Sequence, residues 1–104
     1  MRDWRNTEYL ASQSVRLLAV GEHGVKDRLL RAYTERLQFV FPDDVPVELK
    51  PLVVSIRKRL FREPRFKGQS TVESALYRMH GKTASAIAED IYELALALSS
   101  RERQ

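Results

Sequence analysis

The stretch from Ser70 to Leu98, STVESALYRMHGKTASAIAEDIYELALAL, decides how this chain folds. Its apolar positions are Val72, Leu76, Met79, Thr83, Ile87, Ile91, Leu94 and Leu98, separated by steps of 4, 3, 4, 4, 4, 3 and 4. Steps of three and four keep side chains on one face of a helix, whereas a strand would repeat every second residue. The run opens on Ser70-Thr71-Val72-Glu73. That is the Ser-x-x-Glu form of a capping box, in which two side chains satisfy amides that a helix start leaves unpaired. The phase holds across Gly81, so the spacing predicts one helix over 70–99, reaching about 45 Å. Gly81 is a place to bend, at about 1 kcal/mol relative to alanine. The alternative makes Gly81 the C-cap of one helix and Thr83 the N-cap of the next.

Ala84, Ala86, Ala88, Ala95 and Ala97 give this helix small faces on which another can pack closely. A helix so long would overhang a compact core, and apolar overhang calls for a protein partner or a second copy of the chain.

Working back from Ser70, helical periodicity continues. Val25, Leu29, Leu30, Ala32, Tyr33, Leu37 and Val40 make a broad apolar face, predicting a helix over 25–40. Leu10, Ser14, Leu17 and Leu18 make a narrower one over 7–20, with Thr7 as its N-cap. Gly21-Glu22-His23-Gly24 separates the two as a turn. Phe41-Pro42 ends the second helix, because a proline has no amide donor and restricts the residue before it. Pro46 suits a helical first position, and Pro51 forces a kink or a separate turn over 46–50. A third helix then runs to about Arg62, burying Leu52 or Val53, Ile56 and Leu60, and sending Lys58, Arg59 and Arg62 outward. The expectation is an all-α, four-helix bundle-like domain over 1–104 with a long C-terminal helix. A chain of 104 residues with 43% hydrophobic and 31% charged residues suits one folded domain.

Charge is concentrated between Arg57 and Lys67. Arg57, Lys58, Arg59, Arg62, Arg65 and Lys67 face a single acid, Glu63, so the segment carries +5 of a chain total of +4. Such a focus attracts anions. Phe61 and Phe66 interleave with these bases, and aromatic rings beside guanidinium groups can stack on unpaired nucleic-acid bases. The bland reading puts the phenylalanines in the core and the bases on the wet side of the third helix. No recognised nucleic-acid-binding motif accompanies the segment.

Other patterns point to no chemistry. Zero cysteines exclude disulfides, thiolate catalysis and cysteine-held metals. Gly81-Lys82-Thr83 supplies the end of a phosphate loop, but Leu76 stands where its first glycine belongs and no strand leads in. His23 and His80 are too isolated for a metal set. Asp43-Asp44 and Glu89-Asp90 are neighbours whose side chains diverge; one of the former suits a turn cap, and Glu89, Asp90 and Glu93 an acidic strip. No serine lies in a nucleophile elbow. We therefore expect no enzyme, no catalytic residue, no metal and no cofactor. The start, Met-Arg-Asp-Trp-Arg, has no apolar signal core, and no run approaches the ~18 apolar residues of a membrane span. A cytoplasmic protein without membrane attachment is the expectation.

The segments Ser70–Met79, Lys82-Thr83-Ala84 and Ile87–Leu94, preceded by Val25–Tyr33 and Val45-Pro46-Val47-Glu48-Leu49, resemble a group of small bacterial proteins of unassigned function. The resemblance rests on helix-type patterns in the same order. It implies an all-helical fold and a bacterial cytoplasmic origin, and it carries no activity or site residue. The leading functional expectation is a small interaction protein that self-associates or binds a protein partner. The alternative is a nucleic-acid-binding module using the 57–67 segment.

Overall fold

A computed structural model describes residues 5–20, 24–64 and 67–102. Among these residues there are five α-helices and no strand: α1 (Arg5–Val20), α2 (Val25–Glu35), α3 (Lys50–Arg59), α4 (Thr71–Arg78) and α5 (Gly81–Glu102). The chain is all-α, with one helix more than expected.

The extra helix comes from a break in the 70–99 segment. Met79 is extended, with φ −81° and ψ 143°, and ends α4. The amide of Ala84 then donates to the His80 carbonyl at 3.1 Å, the first bond of α5. Gly81 is the first residue of α5, not a C-cap, and Thr83 is not an N-cap. The apolar phase does slip here. Thr83 is exposed and Ala84 is fully buried, so the step across the junction is five residues, from Met79 to Ala84. Gly81, a weak helix former, sits at the point of slip. The break lets α4 pack against α2 while α5 packs against α1, α2 and α3.

α5 supplies the centre of one continuous core: Ile87, Ile91, Leu94 and Leu98 are fully buried and meet Leu29, Val53, Ile56 and Leu60. Its 22 residues span about 33 Å, inside the 45 Å longest dimension of the molecule. The seam is shielded by the chain's own helices, while Tyr92 and Leu96 of the same helix stay half-exposed. α1 meets α5 through small side chains, Thr7, Ala11 and Ser14, all buried. Thr7 lies inside α1, so it is not the N-cap. The Ser14 hydroxyl donates to the Leu10 carbonyl at 2.9 Å, which satisfies it within its own helix.

α2 stops at Glu35, five residues early. Leu37 and Val40 both need burial and stand three apart, a spacing that a 3-10 turn places on one side. The chain accordingly forms a 3-10 turn over Leu37–Phe39, followed by two more at Pro42–Asp44 and Val47–Leu49. The last is the separate turn that Pro46 and Pro51 require. α3 starts at Lys50, so Pro51 falls where a helix needs no donor. Asp44 closes the middle turn, its carboxylate accepting from the Phe41 amide at 3.0 Å.

α3 ends at Arg59, short of Arg62, because the Arg62 amide leaves the helix and donates to the Thr71 carbonyl at 3.2 Å. The buried Ser74 hydroxyl donates to the Glu63 carbonyl at 3.0 Å. These two bonds tie the 61–64 segment to α4. At Ser70 the capping box forms as the sequence indicates: the Glu73 amide donates to Ser70 Oγ at 3.1 Å and the Ser70 amide to Glu73 Oε1 at 3.4 Å.

Candidate functional site

The described residues of the basic segment do not share one surface. Arg57 turns inward. Its Nη1 donates to the carbonyls of Gln38 at 3.1 Å and Val40 at 3.0 Å, which the end of the 3-10 turn leaves open. Its guanidinium lies 4.5 Å from the Phe41 ring centroid and 6.0 Å from that of Tyr33. Arg57 is a clamp between α3 and the 37–41 turn. Arg59 Nε donates to the Ser55 carbonyl at 3.2 Å, and its Nη2 pairs with Asp90 Oδ2 on α5. Asp90 is thus drawn out of the acidic strip, leaving Glu89 and Glu93 exposed. Lys58, Arg62 and Lys67 are exposed. Arg65, Phe66 and His23 lie outside the described residues.

What the fold does assemble is a groove of about 270 Å³ where the end of α3, the 61–64 segment, the end of α4 and the start of α5 meet. Arg59, Arg62, Arg78 and His80 line it, with Phe61, Met79, Ala75 and Thr83 between them. Among the described residues, no carboxylate is in that lining. Among the described residues, neither Arg62 nor Arg78 has a carboxylate within ion-pair distance. Phe61 is 58% exposed, so it does not plug the core. The tie of Arg62 and Glu63 to α4 holds this segment against the groove.

Of the five expected bases that are described, Arg59 and Arg62 line this groove. Arg78 was missed, and His80 was set aside as isolated. The available signal was the alternation Arg78, His80, Lys82 at the helix junction, a second local excess of bases that begins 11 residues after Lys67. Gly81-Lys82-Thr83 forms the first turn of α5, with a helix and not a strand before it, so it is no phosphate loop.

A larger hollow, about 630 Å³, lies between α2 and α4 and is lined by Asp27, Leu30, Arg31, Thr34, Glu35 and Glu73. Its acids are already engaged in part: Glu35 pairs with Arg31 at 2.9 Å, and Glu73 serves the capping box. Glu73 and His80 line different grooves and form no pair. Among the described residues no group of three His, Asp or Glu side chains converges as a metal site would require. No helix among them is long and apolar enough to cross a membrane.

Comparison with protein-family models, with curated proteins and with solved structures gives no match.

Proposed function

We propose that the chain is a small, non-enzymatic helical interaction protein that holds an anionic partner in the groove between α3, α4 and α5. The observation that carries this reading is the composition of the lining: three guanidinium groups and an imidazole, with no acid among them. Two of those guanidinium groups, Arg62 and Arg78, have no carboxylate within ion-pair distance among the described residues. Guanidinium groups offer planar forks that match carboxylate and phosphate oxygens. The setting we propose is bacterial and cytoplasmic.

Elution from a heparin column tests this reading. Arg62→Ala/Arg78→Ala and Lys58→Ala/Lys67→Ala each remove two charges. The groove pair is expected to elute at clearly lower salt than the second pair. Equal elution would mean that only net charge matters, and the reading fails.

A second reading, self-association or capture of a protein partner, draws on another face. Tyr92 and Leu96 of α5 are 50% and 47% exposed beside a hollow of about 210 Å³ that also involves Ser12, Val15 and Ala95. Light scattering across micromolar concentrations tests it: a dimer that Leu96→Glu dissolves supports it, and a strict monomer removes it.

A further inference from the structure

Resting on the anion-binding reading of the α3–α4–α5 groove, we infer that its partner is single-stranded nucleic acid. The phosphodiester backbone would lie along Arg59, Arg62 and Arg78, and a base would stack on the exposed ring of Phe61. An acidic peptide would need cations alone. Here a half-exposed phenylalanine stands next to Arg62 in sequence and shares one lining with three guanidinium groups. Exposing that ring costs the fold hydrophobic burial, and an aromatic face beside a cationic track is the arrangement that binds unpaired bases. Met79 and Ala75 add an apolar floor. A duplex hides its base faces in the stack, so Phe61 would have nothing to meet. Recognition of this kind is tolerant of sequence, because every base offers a flat face.

The size of the groove sets the scale. At about 270 Å³ it lies near the lower end of ligand sites, which suits one or two nucleotide units of a longer strand. Because Arg59 is already paired with Asp90, Arg62 and Arg78 supply two phosphate neutralisations, which on a single strand give a salt slope of about −1.4, or a loss of about sevenfold in affinity between 50 and 200 mM salt. Stacking on one ring adds about fivefold to a hundredfold.

The test is fluorescence anisotropy with the full chain and four labelled probes: a short oligothymidine, the same phosphodiester backbone with abasic sites, a duplex of equal length and an oligoglutamate peptide. Oligothymidine is expected to bind tightest, to exceed the abasic strand by at least about fivefold, and to show a salt loss of about sevenfold. Phe61→Leu should bring oligothymidine down to the abasic value, and Phe61→Tyr should restore it. Circular dichroism checks that both variants keep their helices. If the abasic strand binds as well as oligothymidine, or the duplex or oligoglutamate binds better, the inference is overturned while the anion-binding groove survives. If none of the four binds at 50 mM salt, both readings fall.

Discussion

Arg57 and Lys58 are adjacent in sequence and serve different ends. Arg57 satisfies two backbone carbonyls and covers Phe41, whereas Lys58 is exposed. Removing one partner of a charged hydrogen bond is costly because the other is left unpaired. Arg57→Ala is therefore expected to lower unfolding free energy by about 2 kcal/mol, and Arg57→Lys to recover part of it, since both bonds leave one nitrogen and an ammonium has three donors but no plane to lie over the Phe41 ring. Lys58→Ala should stay within about 0.5 kcal/mol. Urea unfolding of the three variants measures this. Ser74 belongs at the same scale. Ser74→Ala removes the bond to the Glu63 carbonyl, at about 1 kcal/mol, and loosens the segment that carries Phe61 and Arg62. Its binding should weaken although it does not line the groove.

Among the helices, the junction at Met79–His80 is the informative feature. Ala84→Leu would force a larger side chain into a filled site and is expected to cost about 1–3 kcal/mol. Thr83→Leu on the exposed side should change stability by no more than about 0.5 kcal/mol. A single uninterrupted helix would reverse that order, so thermal unfolding of the pair separates the two. Ser70→Ala should cost about 1 kcal/mol through loss of the cap. The cap at Ser70 was legible because it is local: four consecutive residues contain the whole interaction. The proline-driven turn before α3 was legible for the same reason. The break was legible only as the alternative at Gly81, because the favoured reading counts Thr83, which is exposed, as a seam residue. The early ends of α2 and α3 were hidden. The first depends on Arg57 reaching the carbonyls of Gln38 and Val40, the second on Thr71 capturing the Arg62 amide.

For the whole molecule, the core belongs to α5 and the groove to the places where other helices stop around it. Ile91→Ala is expected to destabilise by about 2–5 kcal/mol, as for a fully buried side chain. The groove could not be read from the sequence because it joins the 59–62 segment to residues 75–83, and only folding brings these together. A cluster defined by sequence alone instead included Arg57 and Lys67, which do not line it. The account then rests on one claim: the anion-binding surface follows the fold and not the basic run. Backbone amide shifts in an NMR titration with oligothymidine test that claim most directly. We predict perturbations grouped at Arg59, Phe61, Arg62, Arg78, His80 and Thr83, with Lys58 and Lys67 little moved. Perturbations that track the run from Arg57 to Lys67 and spare Arg78 and His80 would contradict it.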